Sequence, residues 1–259
     1  MAVLTDSLLA EYVETGFVQS IPVLSPNEVR HYRDEVEKTC AAFGGQVTRF
    51  DGVHLCFRWA WDLATHPRLL DAMELILGPN ILLKSSRVFY KHARSGSFVG
   101  WHQDGITERI EDAQVPAIWL GLTDATVENG CLRVVPRSHH LGLVPHKDIP
   151  NPDNLTSDGA TAQVAIEPPH DVVMRAGEMS LHHPLVLHAS NPNRSDEPRI
   201  GFSVTYSAVA LPDSQTEVVW VRGSGPAHRS EASPPRYASL EEAVAAHRAA
   251  GHNFQRGAM

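Results

Sequence analysis

Paired cysteines, clustered basic residues and long apolar runs are all missing from this chain. Its three cysteines, Cys40, Cys56 and Cys131, form no CxxC pair and leave one thiol over. That usage fits buried thiols in a reducing cytoplasm better than a secreted disulfide scaffold. No block of lysine and arginine exceeds two residues, and the formal charge is −8 with histidine neutral. The electrostatic footprint of a nucleic-acid or anionic-membrane partner is therefore absent, and a small molecule is the expected partner. No stretch approaches the roughly 18 consecutive apolar residues of a membrane span. Met1 to Phe17 carries Asp6, Glu11 and Glu14 where an export signal would need a basic region before an apolar run. The expectation is a cytoplasmic protein, with its oligomeric state left open.

Histidine is what the chain has in surplus, 15 in 259 residues, scattered so that position must decide which of them do chemistry. A hydrophobic content of 42% supports a substantial core, read as one catalytic domain over residues 1–259. Residues 1–80 read as helical. A first helix is expected from Asp6 or Ser7 to a stop at Gly16, and a third over Arg68 to Leu77 after Pro67. Between them, Ser25-Pro26-Asn27-Glu28 combines a capping box with proline at the first helical position.

From Ile81 the texture changes to short β-type runs separated by turn residues, the pattern of a sandwich or barrel. Strands are expected at Leu82–Tyr90, Ala117–Thr123, Cys131–Val135, Gln163–Ile166, Met179–His183, Ile200–Ser207 and Val218–Arg222, with a tight turn at Asn129-Gly130. This predicts a mainly β jelly roll over residues 81–222 with helices on one outer face. Gly142 to Gly159 reads as a long loop of the kind that serves as a lid. A tail over 223–259 reads as loop until Ser239 caps a last short helix.

Trp101-His102-Gln103-Asp104 is the sharpest chemical feature. Residues two apart on a strand share a face, so His102 and Asp104 can present an imidazole and a carboxylate to one metal. Any HxD is weak alone; it gains meaning from His188, Ser190 and, eleven residues after His188, Arg199. Two histidines and a carboxylate leave one face of an iron open, which suits non-haem Fe(II) oxygenases. An oxo acid could fill two of the open positions, O2 the third, and the guanidinium of Arg199 could fork onto the distant carboxylate.

His102, Asp104, His188, Ser190 and Arg199, with the stretch from Ile118-Trp119 through Asn129-Gly130 to Pro136-Arg137-Ser138-His139, resemble the phytanoyl-CoA dioxygenase family of Fe(II)/2-oxoglutarate oxygenases over roughly Thr5 to Arg222. The resemblance implies a double-stranded β-helix in which His102, Asp104 and His188 ligate Fe(II). Arg199 and Ser190 would hold 2-oxoglutarate and Trp119 would line its pocket. It implies oxidative decarboxylation of 2-oxoglutarate by O2 to succinate and CO2, coupled to hydroxylation, and the expected substrate is a small metabolite such as a natural-product intermediate of secondary metabolism, an amino-acid derivative or a catabolic substrate. Asp104 is intact, which favours hydroxylation over halogenation. One departure is Arg137, where many relatives carry glycine.

Other residues have ordinary readings. Of the adjacent His182 and His183 only one can face inward, and His139, His140, His146 and His170 read as hydrogen-bonded loop residues. Gln103 and Arg222 are candidate substrate contacts, Arg222 being the first choice among Lys84, Arg87, Arg133 and Arg222 for an anionic substrate. Two competing functions are desaturation, epimerisation or cyclisation at the same site, and a non-oxidative cupin-like metalloprotein. Arg199 and Ser190 argue against the second.

Overall fold

Local signals in the first eighty residues become helices at the expected places in the computed structural model, which describes residues 5–107, 115–156, 160–165, 168–208, 219–223, 233–252 and 254–256. Thr5 caps α1 (Asp6–Thr15), its hydroxyl accepting from the Leu8 amide, and the helix ends on Gly16 with φ +83°. The next helix, α2 (Pro26–Ala42), has the full capping box, with the Ser25 amide donating to the Glu28 carboxylate at 2.7 Å. Between them lies a strand that helical reading of this region overlooked, β1 (Phe17–Pro22). A second, β2 (Val47–Asp51), is followed by α3 (Val53–Cys56), α4 (Arg58–Ala64) and α5 (Pro67–Leu77). Both strands join the main sheet, so residues 1–80 are part of the barrel as well as its covering.

The remaining elements are β3 (Ile81–Lys91), β4 (Val99–His102), β5 (Ala117–Gly121), β6 (Leu132–Val134), β7 (His146–Asp148), β8 (Ala160–Ala162), β9 (His170–Val172), β10 (Glu178–His182), β11 (His188–Ser190), β12 (Arg199–Ser207), β13 (Val219–Arg222), α6 (Leu240–Ala249) and β14 (Phe254–Arg256). The main sheet runs β1-β10-β5-β12-β3-β2-β14, with β13 also on β3. It faces a four-stranded sheet, β4-β11-β6-β9, and β7 pairs with β8 apart from both. Every named strand pair is antiparallel. This is the jelly roll the strand pattern predicts, with helices on the outer face of the larger sheet.

Alternation along the strands separates the two faces of that sheet. Val88, Ile118, Leu120, Leu181, Phe202 and Val204 are fully buried against the helices in one core that reaches from Tyr12 to Val244. The Tyr206 hydroxyl reinforces the layer by donating to the Ala64 carbonyl at 2.7 Å. The side chains between these residues point the other way, into the barrel. Among the described residues no helix is long and apolar enough to cross a membrane.

Four expectations shift. The Asn129-Gly130 turn forms, with the Asn129 carboxamide oxygen accepting from the Thr126 amide at 2.8 Å, yet it does not close a hairpin. It carries the chain from β5 in one sheet to β6 in the other, because a jelly roll alternates sheets where a meander would not. The strand expected at Gln163–Ile166 falls earlier, as β8, and Ile166 lies outside the described residues, as does Val218 at the start of the last expected strand. The long loop after Gly142 contains β7, with residues 157–159 outside the description; most of the expected loop at 223–235 also lies outside it. Beyond that, α6 belongs to the main core and β14 pairs with β2. Arg137 does adopt the left-handed conformation that glycine favours, φ +68°, held by its amide on the Thr15 carbonyl at 2.7 Å and an ion pair to Glu14.

Candidate active site

His102 ends β4 and His188 begins β11, and the two are register partners, which brings their rings to 4.1 Å between centroids. Asp104 follows two residues later, where β4 gives way to a short 3-10 helix. One ligand atom from each of these three residues lies within 4.8 Å of the others. The backbone fixes which imidazole nitrogen is offered. Nδ1 of His102 is 2.9 Å from the Gly100 carbonyl and Nδ1 of His188 is 3.0 Å from that of Val186. Nδ1–H of each can donate to that carbonyl, which turns Nε2 toward the Asp104 carboxylate, 3.7 and 3.8 Å away.

Burial, with His102 beside it, pushes the pKa of His188 down to about 3. Burial opposes ionisation of Asp104, but the imidazoles of His188, His102 and His182 outweigh it and hold the carboxyl well below the usual carboxylate range. Neutral imidazole and ionised carboxylate are the forms a metal binds. Two nitrogens and one oxygen on one side of a shared point make up the donor set of a non-haem Fe(II) facial triad, so the residues present fit that metal.

A second polar group faces the same cavity from β12. Arg199 is 2% exposed, its guanidinium carbon 5.0 Å from the centroid of the Trp119 ring, and its Nε has no hydrogen-bond partner among the described residues. Burial lowers its pKa to about 10, which still leaves it cationic at neutral pH. An arginine with a buried orphaned donor is costly unless an anion completes it. The carboxylate of an oxo acid fits that requirement. Gly201 is needed for this arrangement, since a Cβ there would overlap the indole of Trp119. Ser190, at the end of β11, lines the cavity beside Arg199. Its hydroxyl accepts from Lys91 Nζ at 2.7 Å, and Lys91 also donates to the backbone carbonyls of Gly130 and Asn191. Burial, then Arg199, hold the Lys91 ammonium well below its ordinary pKa. Sequence reasoning passed over Lys91; its only signal was register, since it pairs with Arg199 across β3 and β12.

The two expected substrate contacts fall in different places, Gln103 among the residues that line the cavity and Arg222 away from it. Gln103 is fully buried, with Nε2 donating to the carbonyls of Gly142 and Leu185 and Oε1 accepting from the Val144 amide, at 2.7 to 2.8 Å. Its carboxamide thereby anchors the loop after Gly142 at the cavity wall. Arg222 faces α5, paired with Asp71 at 2.8 Å and Glu74 at 2.7 Å, and does not line the cavity. The histidines sort as expected. His182 points inward, Nε2 3.2 Å from the second oxygen of Asp104, whereas His183 packs 5.0 Å from His139 outside. His139, His140, His146 and His170 each engage a nearby backbone group or, for His170, Gln19.

The triad, Trp119, Ser190 and Arg199 share one cavity of about 810 Å³, open space at its mouth included. Leu155 and Thr156, ahead of β8, and Ala160 at its start line it too.

A jelly roll that converges two histidines and a carboxylate beside a buried arginine defines the class of Fe(II)/2-oxoglutarate oxygenases. The chain belongs to the phytanoyl-CoA dioxygenase (PhyH) family, whose model matches residues 12–201. It is 26% identical to a methylphosphonate hydroxylase of Gimesia maris over 229 residues, covering 83% of this chain and 85% of the relative. Among solved structures, the non-heme monooxygenase ThoJ aligns with a TM-score of 0.78 at 27% identity over 94% of both chains. The epimerase SnoN, in complex with Fe3+, alpha ketoglutarate and nogalamycin RO, aligns with a TM-score of 0.65 at 25% identity, covering 89% of this chain and 93% of SnoN. The protein is thus an oxidoreductase that uses Fe(II), 2-oxoglutarate and O2.

Proposed function

We propose that the protein hydroxylates a small organic metabolite, with His102, Asp104 and His188 as the iron ligands and Arg199, Ser190 and Trp119 binding 2-oxoglutarate. The observation that carries this reading is the orphaned Nε of Arg199, buried in the same cavity as the three convergent ligands. Iron(II) bound there supplies the O2 chemistry in which 2-oxoglutarate yields succinate and CO2 while the substrate is oxidised. The chain's own residues set up that reaction. The Gly100 and Val186 carbonyls hold two imidazoles in one tautomer. His182 takes one oxygen of Asp104 and so leaves the other for the metal. Ser190, whose oxygen already accepts from Lys91, keeps its proton to donate to the cosubstrate carboxylate beside Arg199. Val99, Ile106, Leu132 and Leu155 exclude water from the remainder of the cavity.

A second reading, the same site diverted to epimerisation, cyclisation or desaturation, is favoured by the likeness to SnoN. The orphaned arginine speaks against a non-oxidative metalloprotein. We read the whole chain as one catalytic domain, and its three free, buried cysteines fit a cytoplasmic setting. Anaerobic titration with Fe(II) and 2-oxoglutarate tests the proposal. A weak visible charge-transfer band is expected, lost in Asp104→Ala and His188→Ala, with succinate release on admitting O2. A protein that gave no band and bound zinc tightly instead would overturn it.

A further inference from the structure

Opposite the cosubstrate end, the cavity has a basic wall that the proposed chemistry leaves unused. Arg49 and Arg87 come from the inner faces of the adjacent strands β2 and β3, where Asp51 is the register partner of Arg87. Both arginines line the cavity that contains His102, Asp104 and His188, whereas Asp51 is not among its lining residues. The carboxylate is already taken. Arg49 forks onto it, Nε to Oδ1 and Nη2 to Oδ2 at 2.8 Å each, and gives Nη1 to the Leu155 carbonyl. Arg87 reaches Asp51 only through Nε, at 3.4 Å, and remains 30% exposed. Among the described residues its two terminal nitrogens have no hydrogen-bond partner. The fork on Asp51 is thus made by Arg49, and Arg87 presents its guanidinium at the cavity surface. Ser203, the register partner of Arg87 on β12, lines the cavity too and sets a hydroxyl beside that charge. The apolar lining of the cavity includes Phe89, Val99, Ile106 and Leu155.

We propose that Arg87, assisted by Ser203, binds the carboxylate of the primary substrate, a small carboxylic acid with an apolar body. A planar guanidinium fork with two free nitrogens matches a carboxylate. Binding the acid at this wall leaves its body to span the apolar part of the cavity towards the triad. Substrate and cosubstrate are then held by different arginines, Arg87 and Arg199. This inference rests on the hydroxylase reading above and deepens it.

The test uses the full chain loaded anaerobically with Fe(II) and 2-oxoglutarate. Calorimetry follows the binding of butyrate, phenylacetate and cyclohexanecarboxylate, each against its own primary amide. At least one acid is expected to bind 10-fold or more tightly than its amide. Arg87→Gln should erase that preference, Arg87→Lys should keep part of it, and neither should move 2-oxoglutarate affinity by more than twofold. The proposal is overturned if no acid outbinds its amide, if the preference survives in Arg87→Gln, or if that variant loses 2-oxoglutarate affinity 10-fold, which would make Arg87 a cosubstrate ligand. Failure of the wild-type protein to form the Fe(II)/2-oxoglutarate chelate band is a separate result, and it removes the hydroxylase reading itself.

Discussion

The two faces of the main sheet are made by the same strands and do opposite work. Along β12, Ile200, Phe202, Val204 and Tyr206 turn outward and are fully buried against the helices, whereas Arg199, Gly201 and Ser203 turn inward to the cavity or to the indole that lines it. Across the register on β3 the same division holds, with Val88 outward and Arg87 and Phe89 inward. Apolar burial on one face stabilises the sheet, and this lets the other face keep cations and orphaned donors that by themselves would destabilise it. A rigid, two-sided strand is a precise way to position chemistry, because a side chain on it cannot move without moving the packed layer behind.

The largest break in this comparison should come from the outer face. Phe202→Ala is expected to cost about 3–5 kcal/mol of stability through lost burial and the cavity left behind. Thermal and urea unfolding would register it, while the 2-oxoglutarate chelate band should still form at low temperature. If the band vanished with the fold intact, the two faces would not be separable.

An inner-face change should do the reverse. Arg199→Met removes a buried charge of similar shape, so 2-oxoglutarate affinity should fall on the order of 100-fold, about 2–3 kcal/mol. The unfolding midpoint of the cosubstrate-free protein should hold or rise. Normal 2-oxoglutarate affinity in this variant would remove Arg199 from the cosubstrate role.

The smallest effect sharpens the comparison at a polar contact of the outer layer, where His54 Nδ1 lies 2.7 Å from the Ser86 hydroxyl. Burial pushes the pKa of His54 down to about 3. The folded pKa lies below the unfolded one, about 6.5, so between these values the unfolded chain binds the extra proton and stability is lost as pH falls. The limiting slope is about 1.4 kcal/mol per pH unit. Urea midpoints of the chelator-treated protein at pH 7 and pH 4.5 should differ less in His54→Gln than in the wild type. Equal slopes would place the acid sensitivity elsewhere.

Much of this was legible because it depends on near neighbours in sequence. The Ser25–Glu28 capping box, the stops at Gly16 and Gly78, and the Ser239 cap each involve groups within four residues of one another. The long β3, β5 and β12 announced themselves by β-branched and apolar content. Strands β1 and β2 did not, since short segments beside helices acquire their meaning only from partners such as β10 and β3, far along the chain.

For the site, spacing alone offered His102 with Asp104, and His188 with Ser190 and Arg199, because the chemistry requires donor types at intervals that the strand period and one short turn dictate. Only the tertiary structure decided that Gln103 holds a loop, that Arg222 serves α5, that Lys91 supports Ser190, and that Arg87 faces the cavity. The physical reason is common to all four. A side chain's role is fixed by which face of which sheet it occupies and by what the register sets opposite, and those partners come from strands and loops tens of residues away.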